Sequence, residues 1–379
     1  MPCEINTFEV EFLTKRQAGR LLAFFAITCV LWSVVSILLP HDRYIRYQQL
    51  TDSDLFRTRW VYERIHYDKS PIDVAVIGSS RTEAAISAPL LEKELTDRFA
   101  RPVHVANLAI PEEGRNLHYL IARELIENHP ETRIILVSVV EQAKLSHPAF
   151  RYLADVDDLL HAPLLINHFY FLDAAFLPYR QMSYFVQTRL PQWFDVSRSF
   201  RRDYFGTGFD TTHSFYLPSK KLVNRDAVMP VDRLVAGSRE IVNSNGGAWN
   251  EPSAWDSLNN PLETEYTNRL AEMSRKHGVE VVFIRLPFFN SPPRMFDEAF
   301  YRNLDPLLDA QQLADNPGYY SDPGHFNRNG IDQTSYWLWH SIAPYLHPLD
   351  NNGLPEIEAT RAEMIACNAC QRASAHANK

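Results

Sequence analysis

The sequence predicts an α/β fold built on a parallel sheet, in three layers. Short apolar runs rich in β-branched residues recur at 72–77, 103–108, 133–140 and 279–286. Segments with helical spacing lie between them, and the first run stops at Gly78-Ser79-Ser80. Apolar runs of this length suit strands covered on both faces. Strand–helix–strand repeats imply right-handed crossovers and a parallel sheet.

Taken in order, the first element is Leu21 to Leu39, LLAFFAITCVLWSVVSILL, nineteen residues without a charge. At a rise of ~1.5 Å per residue it covers ~28 Å, about one hydrocarbon core. A buried core helix and a cleaved signal peptide are the rival readings. The length of the run and Leu-Leu-Pro where a small-residue cleavage site would stand favour an uncleaved signal anchor. Lys15, Arg16 and Arg20 precede the run and Arg43 and Arg46 follow it. That bias places residues 1–20 in the cytoplasm and the main domain on the periplasmic or cell-surface side, after one crossing. Residues 41–70 are polar and aromatic and read as a stalk. The α/β domain covers 71–346. Its strands are 72–77, 103–108, 133–140 and 279–286, and its helices are Ala88–Phe99, Leu117–Asn128, Leu262–Lys276 and a last one from about Asn329. Between 146 and 250 the pattern breaks into a segment dense in aromatics and proline, with Arg198, Arg201 and Arg202 close together. This is read as a large insertion: a cap with its own small core, or a cover for a groove, a membrane surface or a partner. Residues 347–379 read as a polar tail.

Composition narrows the function. The chain has 379 residues, 45% hydrophobic and 22% charged, with net charge −8. It is long enough for a core without disulfide staples. An acidic balance argues against a general nucleic-acid binder. The four cysteines, at 3, 29, 367 and 370, avoid the middle of the chain, which argues against a disulfide framework or a cysteine-built metal core. No cofactor or metal is expected. Gly78-Ser79-Ser80 lacks the pattern of a phosphate-binding loop.

Two places hold residues suited to chemistry. Ser80 follows the first strand, where open α/β sheets bind ligands and where a helix N-terminus favours developing negative charge. Alone, Gly-Ser-Ser also reads as a turn and an N-cap. Asp322-Pro323-Gly324-His325 is the second place. A serine nucleophile needs a base and the base an orienting carboxylate, which Asp and His three residues apart in a tight turn supply.

The order Ser, Asp, His, with a D-x-x-H turn just before the last helix, resembles the SGNH/GDSL hydrolase superfamily. The run Asp322-Pro323-Gly324-His325-Phe326-Asn327-Arg328-Asn329-Gly330 is similar to that family's last block. The resemblance covers about 72–142 and 262–346. It implies a flavodoxin-like three-layer sheet, with Ser80 as nucleophile, His325 as general base and Asp322 as its orienter. Ser79 stands where many relatives have Asp. Ser-Ser at this turn behind one N-terminal anchor resembles the subgroup of D-alanyl transfer and alginate O-acetylation accessory proteins, which implies a membrane-bound O-acyltransferase as partner and a polysaccharide acceptor.

The blocks that build the oxyanion hole depart from the family. Ala109 or Gly114 falls at the second block's Gly, and Glu141-Gln142 replaces the third block's Asn. Gln142, Asn107 and Asn116 are the substitute donors, and Arg81 is a candidate for binding an anionic group. The expected function is O-acyl transfer to or from an extracytoplasmic polysaccharide through a serine acyl-enzyme. The alternatives are a non-catalytic scaffold or glycan-binding partner, and a lipid or small-ester esterase.

Overall fold

The computed structural model describes residues 14–139, 146–162, 167, 169–200, 210–244, 261–293, 295 and 297–346. The expectations for Gln142, Glu141, Arg201, Arg202, Cys3, Cys367, Cys370 and the tail 347–379 lie outside the described residues.

The first elements are helices α1 (Lys15–Ile37), α2 (Arg43–Gln48) and α3 (Arg57–His66). Strand β1 (Val74–Ile77), helices α4 (Ser80–Ala85) and α5 (Ala88–Phe99), strand β2 (Val105–Asn107), helix α6 (Arg115–Asn128) and strand β3 (Ile134–Ser138) follow. Next come α7 (Phe150–Leu153), α8 (Val156–Leu160), α9 (Tyr170–Arg189), the short strands β4 (Phe215–Tyr216) and β5 (Leu222–Val223), and α10 (Val231–Ser244). The last stretch holds α11 (Pro261–Lys276), β6 (Glu280–Arg285), α12 (Glu298–Leu304), β7 (Leu307–Asp309), β8 (Tyr320–Asp322), β9 (His325–Phe326) and α13 (Arg328–Ile342).

Two compact units result, residues 1–49 with 151–200, and residues 50–150 with 201–379. In the first, α1 begins six residues ahead of the apolar run because Thr14 and Gln17 form a capping box that satisfies the first N–H groups. Among the described residues α1 is the one helix long and apolar enough to cross a membrane, a property that a signal sequence near the N-terminus shares. It packs against α9.

The second unit holds the sheet, in the order β2-β1-β3-β6-β7 with every neighbour parallel. Val74 pairs with Val105 and Ile134, Leu136 with Val282, and Ile284 with Leu308. The four apolar runs read from the sequence are four of these strands, each trimmed by one to three residues at its ends. On one face Val76, Leu136 and Val282 share a core with Leu91, Leu95 and Leu338 of α5 and α13. Helices α6 and α11 pack together in the other layer, against β1 and β6. The order reverses between β1 and β3, so the carboxyl ends of those strands form the crevice where such sheets bind ligands.

Three boundaries differ from expectation. Residues 41–70 are not a stalk: α2 and α3 occupy them, and Trp60, Val61 and Ile65 are buried. The aromatic and polar mixture that suggested an exposed tether forms two helices whose polar members also go inside. Arg57, 1% exposed, lies 3.4 Å from Glu83 and donates to the Asn107 carbonyl at 2.6 Å. Residues 146–250 are not one insertion, since 151–200 belongs with the N-terminal helices and the stretch after 200 with the sheet. Strand β7 lies in a stretch read as loop, because three residues are too few to show a period.

Candidate active site

Backbone geometry brings the serine to the crevice. Strand β1 ends at Ile77, Gly78 makes the close approach, Ser79 is the extended N-cap of α4 and Ser80 its first residue. A side chain at Gly78 would overlap Ser138 Oγ and Thr82, so only glycine lets β1, β3 and α4 meet here. Ser80 is half-buried.

His325 and Asp322 come from the β8–β9 hairpin. Asp322 Oδ1 accepts from the Gly324 and His325 backbone N–H groups at 2.9 and 3.0 Å, which closes the turn. The same carboxylate accepts from His325 Nδ1 at 2.9 Å. That bond places the proton on Nδ1 and leaves Nε2 as an acceptor, 3.0 Å from Ser80 Oγ. Three residues, one of them 245 positions away in sequence, form a continuous hydrogen-bonded line. Burial raises the Asp322 carboxyl, but the His325 hydrogen bond and charge, the Gly324 N–H and Arg225 outweigh it, so its pKa lies below the ordinary value.

The hairpin is held from behind. Tyr320 is fully buried, stacks near Phe326 and Phe289, and donates to the Leu313 carbonyl at 3.2 Å. Asn327 caps α13 through the Gly330 N–H at 3.2 Å and donates to the Gly318 carbonyl at 2.9 Å. Pro323 packs against Gly237 of α10, where any side chain would collide with it. Arg225, 5% exposed, donates to the Thr211 carbonyl at 3.3 Å and sits close enough to Asp322 to act on its charge. Sequence reading missed Arg225, since a lone arginine in an aperiodic stretch carries no signal.

The remaining candidates are placed differently. Asn107 is buried, and its Nδ2 donates to Ile86 carbonyl oxygen at 2.8 Å, with Thr82 and Glu83 carbonyls at 3.4 Å. Its Oδ1 accepts from the Ala109 N–H at 3.2 Å. Both proposed donors are therefore engaged with each other or with the end of α4. Asn116 is engaged likewise, donating to Ser146 Oγ at 2.6 Å. Gly114 is the N-cap of α6 with φ +152°, and a side chain there would overlap the His147 backbone. Arg81 donates to the Leu286 carbonyl at 3.3 Å and lies over the Phe288 ring, while Glu83 pairs with Arg57. Arg285, the last residue of β6, is in an ion pair with Asp309 at 3.2 Å.

Beneath the crevice is a buried charge cluster. Arg115 donates to Glu263 Oε1 at 2.5 Å and to the Ser138 carbonyl at 2.9 Å, and Tyr301 donates to the same carboxylate oxygen. These residues tie α6, α11 and α12 to the end of β3. A cavity of about 320 Å³ lies elsewhere, along edge strand β2, lined by Trp60, Arg64, Glu92 and His104. Among the described residues no group of three or more His, Cys, Asp or Glu is arranged to hold a metal ion.

No family model matches the chain, and no curated protein matches it. Among solved structures it is similar to one described as a "putative acylhydrolase" of Bacteroides fragilis NCTC 9343. The two are 11% identical over 77% of this chain and 96% of that one, with a TM-score of 0.33, a likeness too distant to carry an argument.

Proposed function

We propose that the chain is a membrane-anchored serine acyl-ester enzyme that moves an O-acyl group to or from a polysaccharide outside the cytoplasm. The observation that carries the reading is the hydrogen-bonded line Asp322–His325–Ser80 at the end of β1. Ser80 Oγ forms a bond to the acyl carbon as its proton passes to His325 Nε2. The tetrahedral intermediate collapses, and Nε2 returns the proton to the leaving alcohol. An acceptor hydroxyl then gives its proton to Nε2 and bonds to the acyl carbon; as the Ser80 Oγ–acyl bond breaks, Nε2 returns the proton to Ser80 Oγ. Water in the acceptor's place makes the reaction ester hydrolysis. Asp322 holds the ring and stabilises the imidazolium. The polysaccharide acceptor and a membrane-bound O-acyltransferase as donor or partner rest on the motif resemblance to the anchored SGNH subgroup, and the anchor on α1.

One observation favours a second reading, a non-catalytic glycan- or partner-binding scaffold. The Asn107 amide and the Ala109 N–H, two of the expected oxyanion donors, are committed to internal hydrogen bonds. The test is to treat the full-length chain in detergent with a fluorophosphonate and measure intact mass, beside Ser80→Ala and His325→Ala. A single adduct lost in both variants is expected. Folded wild-type protein that takes no adduct refutes the enzyme and leaves the scaffold.

A further inference from the structure

Helix α9 is amphipathic in the reverse sense. Its buried residues are Asp173, Leu177, Arg180, Gln181, Tyr184 and Gln187, so an acid, a guanidinium and two amides face into the unit. Most of them find at least one partner there, while Arg180 Nε and Nη2 and Gln181 Oε1 make no hydrogen bond. Asp173 lies 3.4 Å from Arg151, and Arg180 donates to the Arg151 and Ala154 carbonyls at 2.8 and 2.9 Å. Gln187 exchanges amide hydrogen bonds with Gln49. At the helical period, Phe171, Leu172, Ala175 and Tyr179 fall together on the opposite side. They are exposed, Phe171 at 73%, Leu172 at 58% and Tyr179 at 68%. A helix in water turns its charges out and its rings in. Polar side chains turned inside, each with at least one partner, and apolar side chains turned outside are the arrangement that a hydrocarbon solvent selects.

A second observation says what covers this face. Helix α9 packs on α1, and Gln181 Nε2 donates to the Ile37 carbonyl in the last turn of α1 at 3.3 Å. Helix α9 thus lies beside a helix that exposes Phe24, Phe25, Leu31 and Trp32. The last residue of α9, Arg189, is exposed and Trp193 just past the helix is 74% exposed, a cation and an indole of the kind that collect at a membrane–water interface.

We propose that the face of α9 bearing Phe171, Leu172 and Tyr179 sits in the lipid of the bilayer that α1 crosses, as a second contact that does not span it. The inference rests on the reading of α1 as a membrane anchor. It goes beyond that reading, because a tether alone would leave the face of α9 in water.

The test uses the full-length chain with its four cysteines replaced by serine, reconstituted in phosphatidylcholine–phosphatidylglycerol vesicles. Single nitroxide labels are attached through Phe171→Cys, Leu172→Cys and Tyr179→Cys. Ile27→Cys on α1 and Tyr216→Cys on an exposed strand are the references. Collision with molecular oxygen, which concentrates in lipid, is compared with collision with a water-soluble nickel chelate. The three α9 labels are expected to match Ile27→Cys, with an oxygen-to-nickel ratio about tenfold above Tyr216→Cys. Labels on α9 that match Tyr216→Cys while Ile27→Cys remains in lipid overturn the proposal and leave the anchor standing. An Ile27→Cys label open to nickel overturns the anchor and the proposal with it. Labels on α9 shielded from both reagents mean that a protein surface covers the face, which also overturns it.

Discussion

Replacing Asn107 by alanine separates two roles for that residue. As an oxyanion donor it would contribute to rate; as the structure places it, it contributes to folding. Its Nδ2 makes one well-formed bond, to the Ile86 carbonyl at 2.8 Å, and two long ones at 3.4 Å, and its Oδ1 accepts from Ala109 N–H at 3.2 Å. The residue is 5% exposed, so water does not replace these partners. One good neutral hydrogen bond contributes about 1 kcal/mol, and each buried group left unpaired costs about 1–3 kcal/mol. The expected loss for Asn107→Ala is about 2–4 kcal/mol, after some relaxation. Urea unfolding followed by fluorescence measures it, and the rate of fluorophosphonate labelling under folding conditions measures the site. A labelling rate within about tenfold of wild type is expected, against the ~10²–10³ that loss of an oxyanion donor removes. An unchanged urea midpoint with a hundredfold slower labelling would refute the structural role and return Asn107 to the oxyanion hole.

Three further outcomes are expected. Asp322→Asn keeps the turn but takes away the charge that orients His325, so labelling of Ser80 slows by about 10³–10⁴-fold while the unfolding midpoint moves little, which parallel kinetics and melts will show. Gly114→Ala places a Cβ on the His147 backbone at φ +152° and lowers stability by at least about 2 kcal/mol in urea titration, whereas Gly278→Ala, with nothing nearby, costs only the strain of its φ of +71°. Burial lowers the pKa of His147 from 6.5 to about 4, against a raising hydrogen bond with the Pro111 carbonyl. The unfolded chain therefore takes up this proton first. The contribution is complete above pH 6.5 and is lost as pH falls towards 4, by about 3 kcal/mol; a shallower acid slope in His147→Gln, read from melts across that range, checks it.

The residues that the sequence alone determined are those whose structure is set by near neighbours. Strands β1, β2, β3 and β6 were legible because each is a short, mainly apolar run rich in β-branched residues, which suits a strand covered on both faces. The Asp322–His325 relation was legible because the turn that joins them is closed by the same carboxylate, three residues away. Helix α1 was legible from apolar length. What only the tertiary structure decided depends on partners far along the chain. The approach of Ser80 to His325 is fixed by the order in which the strands pair, which no local pattern encodes. Asn107 read as a substitute oxyanion donor until the ends of α4 and β2 met around it. Residues 41–70 looked like a tether because their arginines and tyrosines are polar in isolation; Glu83 and the Asn107 carbonyl make it possible to bury Arg57 there. Helix α9 hid its character for the same reason. Its pattern of charge is ordinary, and only the packing shows which side faces in: local sequence sets the period of a helix, and long-range contacts set its orientation.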